Sequence, residues 1–256
     1  MLRFLTAGES HGPAVTAILE GMPAGLPLSA ADIDRDLARR QKGFGSGGRM
    51  KIEKDRVQIL GGVMHAQTIG APICLHVSNL DHVKWQGKAV TPLTTPRPGH
   101  ADLTGAIKYG YRDLRYSLER ASARETTARV AAAAVCRKLL AEFGVTVGSY
   151  VTDIGSVAAD LAAIPIEERS ARAEESDVRC PHPKAAEAMR THIRETMKAK
   201  DTLGGVFEVV ALGVPPGLGS HVHWDRKIEG RLAQAMLSIH AIKGTEVGPA
   251  FENARR

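Results

Sequence analysis

The chain has 256 residues, 43% of them hydrophobic, a composition that supports a packed core and excludes wholesale disorder. Aromatic residues make up only 4% while glycines number 26, so the core must lean on Ala, Val, Ile and Leu joined by tight turns. The net charge of +6 arises from 34 basic and 28 acidic residues with no Lys/Arg tract and few aromatics to stack on bases, which argues against nucleic acid and for a small polyanionic ligand.

Three cysteines, Cys74, Cys136 and Cys180, form no C-x-x-C pair and are too scattered for a disulfide framework. They read as reduced thiols of a cytoplasmic protein without a structural metal. The opening MLRFLTAGES has too short an apolar run for a signal peptide. No stretch approaches the roughly 18 apolar residues needed to span a bilayer, so the chain reads as soluble, with no membrane partner.

Leu2 to Ala7 reads as a buried strand, followed by the polar loop GESHGP. Ser29 and Asp32 approximate a capping box that opens a helix, with Ile33 and Leu37 on one face and Arg39 and Arg40 in its last turn. The helix breaks at Gly43, before the glycine-rich run GFGSGGRM. Arg56 to Val63 and Ile73 to Val77 read as strands, the latter alternating cleanly. TPLTTPRPGH (91–100) is an extended loop, and Asp102 to Leu118 one helix.

Ser122 and Glu125 form an S-x-x-E capping box for an alanine-rich helix that stops at Gly144. Val145 to Val151 returns as a strand. Ala158 to Pro183 reads as a short helix within surface excursions. A charged helix spans Lys184 to Lys200, a strand Gly205 to Gly213 and a last helix Arg226 to Ile239. Without a strict βαβ rhythm or an internal repeat, the expected class is α+β. The chain, 1–256, reads as a single domain. Its final GPAFENARR resembles neither a helix stop nor a packed terminus, which suggests truncation.

Several residues are candidates for chemistry. His11 lies between Gly8 and Gly12, where its ring is either accessible to a ligand or the solvent-facing side of a capped turn. His100 follows Arg97 in a loop stiffened by Pro96 and Pro98, which is either a site or a rigid surface turn. The helix start at Ser122 offers free N–H groups to an anion, although capping alone accounts for Ser122 and Glu125. Capping does not account for Arg120 and Arg124, which oppose the dipole there, and an anion would resolve that conflict. Arg39, Arg40 and Arg49 flank the glycine-rich run, which is neither a Walker A motif nor a G-x-G-x-x-G fingerprint. His221 and His223 form a lone H-x-H on a possible strand, a weak metal signal. Together these features describe a cationic pocket with two imidazoles, suited to a phosphate- and carboxylate-bearing substrate and to proton transfer near neutral pH.

The strings AGESHGPAVTAILEGMPAG (7–25), RRQKGFGSGGRMKIEKD (39–55), RPGHADLTGAIKY (97–109), LERASARETTARVAAAAV (118–135), TLGGVFEVVALGVPPGLGS (202–220) and WDRKIEGRLAQAMLSIHAIKGTEVG (224–248) resemble the chorismate synthase family, in order and along nearly the whole chain. The resemblance implies a β-α-β sandwich-like fold that is C-terminally incomplete here, a homotetramer, and reduced FMN as cofactor, with NADPH a candidate source of electrons for it. It implies a lyase that converts 5-enolpyruvylshikimate 3-phosphate to chorismate by 1,4-anti elimination of phosphate, the flavin carrying the difficult chemistry while the protein positions and protonates. His11 corresponds to the acid toward the reduced flavin and His100 to the group assisting the departing phosphate. Ser10, Arg40, Arg49, Arg97 and Arg124 correspond to substrate contacts; Ala121, Ser122, Ala123, His240 and Ala241 fall where the family touches its flavin.

The chain departs from the family pattern in three places. Ser46 replaces a common Arg, a loss of about 1.5–3 kcal/mol if that charge-assisted contact is desolvated. His240 replaces an amide side chain. The family also continues beyond the position of Arg256, with further flavin contacts. An inactive fragment, or a module that binds FMN or a phosphorylated metabolite without turnover, is the alternative reading.

Overall fold

The computed structural model describes residues 2–45 and 54–256. Its first sheet is built around Ala14–Glu20 (β2), where Val15, Ala17 and Leu19 alternate with more exposed residues and are at most 1% exposed. That alternation directs one face of the strand to the core. Arg3–Ala7 (β1), β2, Ile73–Ser78 (β7) and Val57–Gly61 (β4) form an antiparallel sheet in the order β1-β2-β7-β4. Ile73, Leu75 and Val77 extend the inward face of β2. Burying each such aliphatic side chain is worth about 1.5–3 kcal/mol.

The inward face is covered by Thr126–Glu142 (α4), with Ala30–Arg40 (α1) packed beside it. Ala128, Ala131, Ala132, Ala134 and Val135 of α4 are buried. Their small side chains let the helix lie close against β2 and β7. The other side of α4 reaches a second sheet, Gly205–Leu212 (β10), Thr146–Ile154 (β8) and Val157–Ala158 (β9), in the order β10-β8-β9. Helices between two sheets make this an α+β sandwich. A small third sheet joins Ala24–Pro27 (β3), Gln67–Ile69 (β6) and Val63–Met64 (β5).

Four sequence expectations are corrected. β1 is not buried: it is a sheet edge, with Leu5 73% and Phe4 46% exposed, because the helical layer centres on β2 and β7. The expected strand from Arg56 to Val63 breaks at Gly62, where the φ is +84° and a Cβ would lie 2.6 Å from the Ile73 backbone, so that a side chain is excluded. The expected helix from Asp102 to Leu118 is two helices, Asp102–Tyr109 (α2) and Arg115–Arg120 (α3), because Gly110 ends the first in a left-handed cap. Residues 158–183 are more than a surface excursion. Ile166–Glu174 (α5) packs on β8, and Leu161, Ile164, Ala173, Val178 and Cys180 are buried there or against Pro183–Ala199 (α6).

Contacts divide the chain into two compact units, Met1–Leu212 and Gly213–Arg256. The second unit contains Ile228–Leu237 (α7) and Ala250–Asn253 (α8), with no buried residue in either helix. His221 and His223 lie in a bend rather than on a strand, and His223 Nδ1 is 2.7 Å from Asp225. Among the described residues no group of three His, Cys, Asp or Glu side chains could hold a metal ion, and no helix is long and apolar enough to cross a membrane.

Candidate active site

The loop between β1 and β2 carries the first candidate histidine. It begins at Gly8, whose φ is +107° and where a Cβ would lie 2.3 Å from the Ala14 carbonyl oxygen. Glycine is required there by the chain's own return into β2, not by a ligand. Asn79 donates from Nδ2 to the carbonyls of Glu9 (3.1 Å) and Gly12 (2.8 Å), and His82 Nδ1 donates to the His11 carbonyl at 2.8 Å. The loop is therefore clamped from the segment following β7 before any side chain of its own is considered.

His11 itself is held by Glu119 of α3. The carboxylate accepts from the His11 backbone N–H at 2.8 Å and stands 2.8 Å from Nδ1. A carboxylate can only accept, so Nδ1 carries the hydrogen. The indole of Trp85 lies against the imidazole, with ring centroids 4.6 Å apart at 52°. Ser10 is buried, donates its backbone N–H to the Glu119 carbonyl at 3.1 Å, and its hydroxyl accepts from that of Ser122 at 3.1 Å. The β1–β2 loop and the start of the α4 segment thus meet side by side.

The expected capping box at Ser122 is not formed. Ser122 Oγ does accept the Arg124 N–H at 3.3 Å, but residues Ala123–Glu125 make a 3-10 turn before α4 begins. Glu125 turns inward, accepts from the Thr6 hydroxyl at 2.6 Å and pairs with Arg129 at 2.9 Å. Burial alone would raise its carboxyl pKa; those hydrogen bonds and the charges of Arg129 and Arg120 outweigh it and hold the pKa below the ordinary value. Arg120 donates to the Thr6 and Gly8 carbonyls at 3.0 and 3.2 Å, pinning β1 to the same turn.

Arg124 also turns inward, with its side chain 4% exposed. It donates to Asp55 at 2.6 Å, to Asn79 Oδ1 at 2.7 Å and to the Ser78 carbonyl at 3.2 Å. The buried carboxylate of Asp55 thus offsets the conflict of Arg124 with the helix dipole. Arg40, at the end of α1, lies 3.5 Å from the same carboxylate and donates to Thr126 Oγ1 and to the Ala123 carbonyl, both at 3.0 Å. Two guanidinium groups converge on Asp55, beside the segment 121–123.

The second histidine sits in its own cluster. Asp102, the first residue of α2, is fully buried; it accepts from Arg97 Nε at 2.9 Å, from the Arg97 backbone N–H at 3.1 Å and from His100 Nδ1 at 2.6 Å. Hydrogen bonding from Arg97 is the main cause that holds its pKa at about 2, with His100 adding to it against the opposing effect of burial. α2 packs on α3 where Gly105 faces Ser117: a Cβ on Gly105 would lie 2.0 Å from the Ser117 hydroxyl. Since α3 also supplies Glu119, one short helix supports the carboxylate partner of His11 and the helix that follows His100.

Of the residues nominated from sequence, Ser10, His11, Arg40, Ala121, Ser122, Ala123 and Arg124 fall in one connected region, and Arg97 with His100 in the adjoining α2 cluster. His240 and Ala241 follow α7 in the second unit, Ala241 at a φ of +67°. Arg49 and Ser46 lie outside the described residues. Asp55, Asn79, Trp85, Asp102 and Glu119 join the site without being nominated by the sequence. Only Asp102 had a local signal, two positions after His100; the other four become partners through contacts across tens of residues. A cavity of about 500 Å³ lined by Arg172, Ser176, Cys180 and Arg190, among others, contains none of the nominated residues.

Comparison with known proteins gives a consistent result. Residues 2–256 match the family described as chorismate synthase. The chain is 55% identical to "Chorismate synthase" of Aquifex aeolicus (strain VF5) over 272 aligned positions, covering 100% of this chain and 68% of that relative. It is 54% identical to "Chorismate synthase" of Symbiobacterium thermophilum, covering 100% of this chain and 69% of that protein. A solved structure described as "Crystal Structure of Chorismate Synthase" superposes with a TM-score of 0.86 at 50% identity, covering 100% of this chain and 71% of the other. The fold and these relationships define an α+β enzyme of the lyase class, acting on a small molecule in aromatic biosynthesis. The chain belongs to the chorismate synthase family.

Proposed function

We propose that the chain converts 5-enolpyruvylshikimate 3-phosphate to chorismate and phosphate by 1,4-anti elimination, with reduced FMN as cofactor. The observation that carries this reading is the pair of imidazoles, His11 and His100, each with Nδ1 on a carboxylate, beside a concentration of arginines. For His11 an Nδ1–H held by a carboxylate leaves Nε2 to exchange protons, whereas His100 Nε2 lies 2.9 Å from the Arg97 guanidinium, which ties that ring to the cation assigned to the phosphate.

The residues present fit the flavin in their donor chemistry. Ala121, Ser122 and Ala123 offer small side chains and a 3-10 turn with an adjoining pair of hydroxyls, Ser10 and Ser122. Arg40 and Arg124 bring positive charge beside that turn. When bound, reduced FMN supplies an electron transiently to the substrate and recovers it, so that the reaction has no net redox change. His240 and Ala241 are assigned the further flavin contact.

In this mechanism His11 holds and delivers a proton at Nε2 toward the flavin. His100 serves the departing phosphate, and Arg97, whose side chain is 45% exposed, contributes charge to the same group. Ser10, Arg40, Arg49 and Arg124 complete the substrate site. Arg124 acts mainly by holding Asp55 and Asn79, because its guanidinium is committed to them. Arg40 is also assigned the phosphate of NADPH where that nucleotide reduces the flavin. The working protein is assigned as a cytoplasmic homotetramer, in keeping with three free cysteines.

The test is anaerobic turnover of 5-enolpyruvylshikimate 3-phosphate with photoreduced FMN, following chorismate and phosphate together. Equal amounts of both are expected. Flavin binding without either product would instead favour a binding module.

A further inference from the structure

We propose that Glu119 is a positioning residue for the proton-transfer chemistry of this enzyme: it holds His11 as the Nδ1–H tautomer and so makes Nε2 the reactive nitrogen. The proposal rests on the reading of His11 as a proton donor, and it deepens that reading by naming what sets the donor's state.

Three observations carry it. Every hydrogen bond of the Glu119 carboxylate among the described residues goes to His11: Oε2 accepts the backbone N–H at 2.8 Å, and Nδ1 is 2.8 Å from Oε1 and 3.0 Å from Oε2. Two anchor points on one residue fix the imidazole in rotation as well as in protonation pattern. Both side chains are shielded, at 26% exposed for His11 and 12% for Glu119, so water competes weakly for Nδ1. Among the described residues no hydrogen bond from another group to the His11 ring competes with Glu119. Trp85 packs against the ring, while His82 and Asn79 bind the loop backbone and not the imidazole.

The two carboxylate–imidazole pairs also differ in kind. Asp102 divides its oxygens between His100 and Arg97, whereas Glu119 serves His11 alone. Asp102 thus joins an ion pair to an imidazole, and Glu119 is dedicated to one ring.

A structural role for Glu119, stapling the β1–β2 loop through the His11 N–H, is separable from the positioning role by Glu119→Gln. The amide oxygen still accepts the backbone N–H, so the staple survives. The amide NH₂ then faces Nδ1, which must accept, and the ring is driven to the Nε2–H tautomer. The experiment is ¹⁵N NMR of histidine-labelled protein at alkaline pH, with the His11 signals assigned by their loss in His11→Ala. The native ring is expected to show a protonated Nδ1 and a bare Nε2, and E119Q the reverse. In turnover, E119Q is expected to lose about 100-fold or more in kcat while KM stays within about threefold, the pattern of a lost orienting carboxylate.

A native ring protonated on Nε2, or an E119Q ring that keeps its tautomer, overturns the proposal. So does native kcat in E119Q when His11→Ala is inactive. Full activity in His11→Ala sinks the proton-donor reading instead, and the tautomer spectra then judge the positioning on their own. If E119Q does not fold, E119D replaces it, with Nδ1–H retained and kcat reduced as expected; an E119D ring protonated on Nε2 counts against the proposal.

Discussion

Arg124 and Asp55 meet at 2.6 Å across a gap of 69 residues, with their side chains 4% and 0% exposed. This ion pair ties the turn before α4 to the segment leading into β4, and through Asn79 it also braces the clamp on the β1–β2 loop. Removing Arg124 takes away the closer of two guanidinium partners of the buried Asp55 carboxylate and leaves it Arg40 at 3.5 Å. Arg124→Leu is therefore expected to cost about 3 kcal/mol in urea unfolding, the low end of the loss for a broken buried pair. Asp55→Asn combined with Arg124→Leu is expected to recover much of that loss. A single variant within about 1 kcal/mol of native would show that water reaches the pair.

Asp102 sets a pH dependence whose sign follows from its depressed pKa. The carboxyl titrates at about 2 in the folded chain against an ordinary value of 3.8. The folded state therefore prefers the ionised form. The contribution, of order 2 kcal/mol, is fully present above about pH 4 and is lost as the pH falls toward 2. Asp102→Asn is expected to be less stable than the native chain at pH 6 and to converge on it near pH 2. Parallel stability curves across that range would refute the assignment.

His11→Ala and His100→Ala are each expected to lower turnover of 5-enolpyruvylshikimate 3-phosphate by about 10²–10⁴-fold, the usual span for a positioned acid or base. Both side chains are only partly buried, so melting temperatures should change little. Near-native rates in both variants would remove the two imidazoles from the mechanism.

Gly8→Ala tests whether the site loop depends on a single backbone conformation. A φ of +107° and a Cβ only 2.3 Å from the Ala14 carbonyl leave no room for a methyl group. A loss of about 2 kcal/mol or more is expected, along with reduced turnover as His11 shifts. Unchanged stability would mean that β2 can move aside at this point.

The chain's local patterns determined much of the fold. The Ser29–Asp32 capping box, the alternation of Ile73, Leu75 and Val77, and the alanine face of α4 each carry their structure in a few neighbouring residues. Periodicity and capping are short-range effects, and so they are readable in one dimension. His11, Arg97 and His100 stand out as candidates for a similar reason, as imidazoles and a guanidinium in glycine- and proline-marked loops, whereas Ser10 is nominated only through the resemblance to a known family.

Tertiary structure alone decided which strands are buried and which charges are paired. β1 is as apolar as a core strand, yet it lies at a sheet edge, and only the placement of α4 over β2 and β7 determines that. That Arg124 is ion-paired with Asp55 was not visible in the sequence, because the two meet only in the fold. Glu119 reaches His11 across 108 residues. A charge's energy depends on distance and burial, which sequence separation does not report; hence the imidazoles could be named from sequence, but not the carboxylates that orient them.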